Sequence, residues 1–228
     1  MGCCDGGCPV YDEQFDERTA RAELKAYRRK GPARTTRLLI DALAVGGAEG
    51  LTVLDIGGGV GAVHHELLRA GAAAATDVEA SGPYLAAARS EAERLGHAER
   101  VQYQRGDFVA LAERLEPADL VALDRVVCCY GDWAALVGRS AALARRRYGL
   151  VYPRDAWWTR LAGRIVNLWC RVRRTAFRIF IHPTRDIDAA VRAAGLIPAV
   201  RRVGLFWQVA VWERPLATLA DVSGPGSR

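Results

Sequence analysis

Lysine is nearly missing from this chain. Lys25 and Lys30 are its only two, so almost all of its positive charge is arginine. No stretch of about 18 uncharged apolar residues occurs, which leaves no segment fit to cross a bilayer as a helix. The opening string MGCCDGGCPV lacks the basic and apolar blocks of a secretory leader, so a cytoplasmic location is the expectation. C-x-x-C pairs are absent too, so none of the common zinc motifs is present. There is no internal repeat and no low-complexity block beyond an Ala/Arg bias.

What is there suits one substantial α/β core. The chain has 228 residues, half of them apolar and a quarter charged. The net charge of +6 raises the question of an anionic partner. Because the excess is arginine beside abundant Ala and Gly, it reads as compositional bias, and no nucleic-acid partner is expected. Six cysteines (Cys3, Cys4, Cys8, Cys128, Cys129 and Cys170) are expected as reduced thiols.

Apolar periodicity predicts two helices between Tyr11 and about Ala44, divided at Gly31-Pro32. LTVLDI then reads as a strand buried on both faces, and Ala62 to Ala70 as a helix closed by Gly71. The Ala-rich residues 72–79 have helical propensity, but their place after strand, turn and helix favours a second strand. A helix runs from Pro83 to Leu95, stopped by Gly96, and VQYQRGDF alternates as a strand. A short helix over Val109–Leu115 leads to ADLVALD, another buried strand; Trp133–Arg146 reads as a helix and YGLVYP as a strand. Thr184 is placed to cap a helix ending at Gly195, with Asp186 and Asp188 near its positive end. Two strands follow near Val200–Val203 and Phe206–Trp212.

This alternation implies a doubly wound, mostly parallel Rossmann-like sheet with an antiparallel C-terminal strand, N-terminal helices and a helical lid. The expected division is a Cys-rich segment with helices over 1–46, a cofactor-binding core over 47–156 and an amphipathic lid over 157–182. A helix and strands that complete the core follow over 183–214, and a disordered tail over 215–228.

The string TVLDIGGGVGAV carries the chemistry. Gly57-Gly58-Gly59-Val60-Gly61-Ala62 satisfies the dinucleotide fingerprint G-x-G-x-x-[GA]. Asp55, Gly57, Gly59 and Gly61 also satisfy D-x-G-x-G-x-G. Glycines at this turn let backbone approach a ligand without Cβ interference. An NAD site explains the glycines and Glu79, 18 residues beyond Gly61, equally well. It leaves Asp55, the later Gly-Asp-Phe at 106–108 and the leading helices unexplained.

Over about Thr35 to Trp212, VLDIGGGVG, EASGPYL, GDF and LDRVVCCYGD follow one another as in the class I S-adenosylmethionine-dependent methyltransferases, which the chain resembles. The resemblance implies that S-adenosyl-L-methionine is the cofactor and S-adenosyl-L-homocysteine the product. It implies further that Asp55, Gly57, Gly59, Gly61 and Arg125 belong to the cofactor site. Glu79 would hold the ribose hydroxyls, with Asp77 as a substitute because the usual Ser-Pro is stretched to Ser81-Gly82-Pro83. Asp107 would accept from the adenine amino group and Phe108 would flank the ring. Where many members end the fourth strand in His-His-x-x-Asp, this chain has Cys128-Cys129. The order of strands, lid and HPTRDIDAAVRAAGL is also similar to tetrapyrrole carboxyl O-methyltransferases. No D/N-P-P-[YF] string typical of base-amine methyltransferases occurs.

Methyl transfer from a sulfonium rests on alignment and exclusion of water, and a base is needed only if the acceptor must lose a proton. His182 and Tyr130 are the candidates for such a catalytic role. His64 and His65 are on the helix after the glycine turn; one of them facing the pocket is an alternative to ordinary helix-surface positions. Trp157, Leu161, Ile165, Leu168, Trp169 and Val172 share one helical face, with Arg160, Arg164, Arg171, Arg174 and Arg178 near the other. As a substrate cap, Trp157, Trp158, Trp169 and Arg164 would suit a flat, apolar, carboxylated small-molecule acceptor. Simple packing against the core, or contact with an anionic membrane surface, fits the same pattern. No metal is required, but Cys3, Cys4, Cys8, Cys128 and Cys129 form an alternative: a soft metal or metalloid held as in arsenite methylation. A regulator that binds the cofactor without turnover is the non-enzymatic alternative.

Overall fold

A computed structural model describes residues 9–215. Cys3, Cys4, Cys8 and the tail 216–228 lie outside the described residues.

The chain opens with α1 (Pro9–Gln14), α2 (Glu17–Lys30) and α3 (Arg34–Leu43). Asp16 caps α2 by accepting from the Thr19 N–H at 2.8 Å, and Gly31 ends it, as the Gly-Pro break implies. Four β/α units and a fifth strand follow: β1 (Thr52–Ile56), α4 (Ala62–Arg69), β2 (Ala74–Glu79), α5 (Gly82–Leu95), β3 (Val101–Arg105), α6 (Phe108–Leu111), β4 (Ala118–Asp124), α7 (Trp133–Ala142) and β5 (Ala144–Pro153). Then come α8 (Trp157–Val172), α9 (Thr184–Ala193), β6 (Ile197–Val203) and β7 (Trp207–Glu213).

The seven strands form one sheet in the order β3-β2-β1-β4-β5-β7-β6. All neighbours from β3 to β5 are parallel, and β7 runs antiparallel to both β5 and β6. This is the doubly wound sheet with one antiparallel C-terminal strand that the alternation implies. β2 forms from its Ala-rich segment because the sheet places it between β1 and β3, overriding helical propensity. Leu39, Leu43, Val63, Leu67 and Ala92 from α3, α4 and α5 fill one side. Phe108, Leu136, Val137, Ile187 and Val191 from α6, α7 and α9 fill the other. Strand order reverses between β1 and β4, so a crevice opens at the carboxyl ends of those strands.

Some local expectations are corrected. The helix expected to reach Arg146 ends at Ala142, because Ala144–Arg147 pair with β4 and β7 as the start of β5. Thr184 does not cap α9; it is the first helical residue, after Pro183, and its hydroxyl accepts from the Gln208 amide at 2.8 Å. Asp188 accepts from the buried Trp212 indole at 2.9 Å and from Arg201 at 2.8 Å, tying α9 to the antiparallel pair. His64 and His65 are fully buried instead of lying on a helix surface. His64 Nδ1 lies 2.8 Å from Asp55, and the His65 ring stacks edge-on to His64 and faces His97.

Between β1 and α4 the backbone turns with Gly57 at φ 65°, a left-handed value that an L side chain resists. A Cβ there would lie 2.6 Å from a Val126 methyl. One at Gly58 would lie 2.5 Å from an Asp77 carboxylate oxygen. The turn is pressed onto the sheet ends with no room for side chains.

Two outcomes are expected. Gly57→Ala combines left-handed strain with overpacking and is expected to cost about 2–5 kcal/mol, read by denaturant unfolding; an unchanged midpoint would contradict the close approach. Burial, and then the His64 and His97 charges, pull the His65 pKa from 6.5 down to about 2. The unfolded chain therefore takes up a proton that folded His65 refuses. The stability present above the unfolded pKa is lost as pH falls, at up to about 1.4 kcal/mol per pH unit for this group. Unfolding at about pH 7 and about pH 5 is expected to show a smaller acid loss in His65→Leu than in the wild type. Parallel losses would contradict it.

Candidate functional site

The crevice at the strand ends is a cavity of about 340 Å³. Its floor comes from the first four strand ends: Ile56 and Gly57–Gly59 after β1, Val78 and Glu79 of β2, Gly106 and Asp107 after β3, Asp124 and Arg125 after β4. Its roof comes largely from the N-terminal helices. Tyr11 of α1, Phe15 just after it and Glu23 of α2 all face the cavity.

The roof is fastened at several points. The Tyr11 hydroxyl donates to the Cys129 carbonyl at 3.1 Å. Asp12 accepts from the Gly82 N–H at 2.8 Å and from Arg105 at 2.7 Å. The Ser81 hydroxyl donates to the Phe15 carbonyl at 2.9 Å. Phe15 also meets Tyr84 and Phe177 edge to face, with centroids 5.6 and 5.8 Å apart.

Glu79 ends β2 with one carboxylate oxygen 3.0 Å from the Gly59 N–H and the other 2.8 Å from the Ser81 N–H. Burial pushes its carboxyl up, against the pull of backbone N–H groups from Ser81, Gly59 and Ala80. Asp107 caps α6, accepting from the Val109 N–H at 3.0 Å. The Tyr130 hydroxyl lies 2.9 Å from each Asp107 oxygen. Phe108, Arg125 and Tyr130 are on the wall as well. Arg125 has a left-handed backbone, φ 63°, and reaches Asp124 at 3.1 Å.

Other expected site residues fall elsewhere. Asp55 is fully buried behind the turn, against His64, and is not on the wall. Gly61 is not on it either; at φ 83° it is the left-handed N-cap of α4, and a Cβ there would strike His65. Both residues shape the turn from behind. Asp77 lies beneath Gly58, where burial and then the Asp55 charge push its carboxyl well up. Tyr130 is a poor base: burial, then its bond to Asp107, push its phenol up. His182 is off the wall, its Nε2–H donating to the Val127 carbonyl at 3.1 Å and its ring stacked on Phe180. Trp157, Trp158, Trp169 and Arg164 of α8 are likewise outside the cavity lining. The segment that does reach the cavity is the one after α8, through Phe177 and Ile179.

Sequence reasoning missed Tyr11, Phe15, Glu23, Tyr84, Phe177 and Trp207 on the wall. Tyr11 and Phe15 stand four apart, a spacing that puts two aromatics on one helical face. Of the paired thiols, Cys128 and Cys129 line the cavity with sulfurs 3.6 Å apart. The contact between the two sulfurs lowers the Cys128 thiol and, together with burial, raises that of Cys129. Among the described residues no three His, Cys, Asp or Glu side chains gather as a metal site.

Comparison with known proteins adds a domain match. Residues 53–146 match the family described as methyltransferase domain. No curated protein matches the chain. Among solved structures, a magnesium protoporphyrin IX methyltransferase from Synechocystis PCC 6803, with bound S-adenosylhomocysteine, is similar at TM-score 0.62 and 20% identity, covering 93% of this chain and 90% of that one. An O-methyltransferase family protein from Burkholderia thailandensis is similar at TM-score 0.66 and 20% identity, covering 91% and 64%. The [4+2]-cyclase SpnF is similar at TM-score 0.60 and 14% identity, covering 81% of each chain, so the fold by itself does not fix the reaction. Residues 53–146 thus carry a methyltransferase domain, on a fold the chain shares with a methyltransferase that holds S-adenosylhomocysteine.

Proposed function

We propose that the chain methylates the carboxylate of a flat, apolar small molecule. The observation that carries this reading is that no free base faces the cavity from either candidate: the Tyr130 hydroxyl is held on Asp107, and His182 is off the cavity wall. An acceptor that is already anionic needs neither.

The cofactor fits the cavity by its cradle. Gly57–Gly59 leave backbone exposed at the floor, and Glu79 and Asp107 present acceptors at the ends of the next two strands. In this reading Glu79 holds the ribose hydroxyls, Asp107 takes the adenine amino group and Phe108 flanks the ring. Tyr130 is a positioning residue that orients Asp107. When bound, S-adenosylmethionine supplies a methyl group activated by its sulfonium. The chain's own part is to align and to exclude water, and the roof of Tyr11 and Phe15, fixed to Gly82 and Cys129, does the second.

Aromatic side chains from Tyr11, Phe15, Phe177 and Trp207 give an acceptor a flat apolar surround. Arg125 is the one cation on the wall among the described residues, and it is held between Asp124 and Glu23. The likeness to a magnesium protoporphyrin IX methyltransferase supports a large, flat acceptor of this kind.

Incubation with methyl-labelled S-adenosylmethionine and a panel of aromatic and porphyrin carboxylic acids is expected to put label into an ester, released as methanol by alkali. Label in an alkali-stable product would contradict the carboxylate reading, and no transfer to any acceptor would favour a regulator. Because burial raises Glu79 and its ionised form is the acceptor, cofactor affinity is expected to fall with pH between about 7 and about 5. A flat profile would contradict the ribose role.

A further inference from the structure

Helix α8 is mounted with its apolar face outward. Its inward row is small and polar: Thr159, Gly163, Asn167 and Cys170, spaced four, four and three apart. Thr159, Gly163 and Cys170 are buried. Asn167 pairs with the backbone of Ile179, donating to its carbonyl at 2.7 Å and accepting from its N–H at 2.8 Å. At 3.6 residues per turn, Trp157, Leu161, Ile165, Leu168 and Val172 lie roughly opposite that row. They are open to solvent, Trp157 at 73%, Ile165 and Leu168 at 60%, and Val172 at 74%. An amphipathic helix of a globular protein normally buries this stripe.

The patch continues beyond the helix. The Trp158 indole donates to the Leu205 carbonyl at the turn between β6 and β7, where Leu205 is 67% and Phe206 50% exposed. Around the patch the charge is predominantly positive; Asp155, just before the helix, pairs with Arg160 at 2.7 Å. From Ala156 to Arg185 there are seven arginines and no Asp or Glu. Arg160, Arg164 and Arg171 flank the apolar row on α8, and Arg173 lies over the Trp169 ring.

We infer that this face docks on an anionic lipid surface, with the tryptophans and leucines in the interface and the arginines against the headgroups. Charge decides against a second copy as the occupant. A two-fold contact sets the same patch against itself, bringing one arginine row onto another, and the stretch carries no carboxylate to answer either. The inference is independent of the acceptor's identity. It has a consequence for access: Phe177, Ile179 and Trp207 of the cavity wall are close in sequence to the docking elements, so a lipophilic acceptor would be met where it dissolves.

The test is flotation of the whole protein with vesicles of phosphatidylcholine alone or mixed with phosphatidylglycerol. Binding is expected only to the mixed vesicles, weakening with salt, with a blue shift of tryptophan emission. Arg164→Gln with Arg171→Gln is expected to weaken it about 30-fold, near the effect of two headgroup-facing charges. Leu168→Ser with Ile165→Ser is expected to abolish it, while Arg145→Gln, on an exposed site of β5, leaves it unchanged. Retained binding of S-adenosylhomocysteine would show that the variants are folded. Equal binding to neutral vesicles, no binding at all, or concentration-dependent dimers lost in Leu168→Ser would each overturn the inference, the last in favour of a second copy.

Discussion

The close approach of the first strand–helix turn to the sheet ends is the constraint on which the rest of the site depends. Val126 and Asp77 occupy the space that side chains on Gly57 and Gly58 would need. Because the turn lies that close, Glu79 can accept from the Gly59 N–H, and the carboxyl end of β2 is tied to the loop after β1. Behind the turn, Asp55 and His64 hold each other in a fully buried pair, and His65 and His97 extend that layer. The acidic residue before the glycines thus acts as a brace for the turn, with the ligand cavity on the other side.

The second constraint is the roof. α1 reaches across the crevice to Gly82, Arg105 and the Cys129 carbonyl, so segments far apart in sequence are spanned by one short N-terminal helix. This covering is polar at its fastenings and aromatic over the cavity, a combination that excludes water while leaving a flat apolar surface inward. The helix expected to play that part, α8, is instead held by Asn167 and its small residues with its large side chains facing away.

Much of the fold was legible because it rests on patterns local in sequence. TVLDI and ADLVALD are apolar throughout because both faces of their strands are covered, and Gly31, Gly71 and Gly96 mark chain reversals that only glycine accepts easily. Even the Ala-rich β2 could be placed from its position in the alternation. The floor of the cavity was legible for the same reason: Gly57, Gly59, Glu79, Asp107 and Arg125 each stand at or within three residues of the end of a strand. The roof was not. Tyr11 is tied to the site by the Cys129 carbonyl and Phe15 by contact with Tyr84 and Phe177, all more than sixty residues on. Periodicity also identified the apolar stripe of α8 correctly but could not tell which face the protein would cover, since Thr159, Gly163 and Cys170 carry no strong signal of burial. His64, His65 and Asp55 were misplaced because a buried polar cluster looks, in sequence, like a helix surface or a ligand site.

The account turns on what the glycine turn and Glu79 hold. The most direct measurement is calorimetric titration of the reduced protein with S-adenosylhomocysteine, with NADH as the comparison and Glu79→Ala as the variant. Saturable micromolar binding of the first, none of the second, and loss of binding in the variant is the expected result. Binding of NADH alone, or of S-adenosylhomocysteine undiminished in Glu79→Ala, would contradict it.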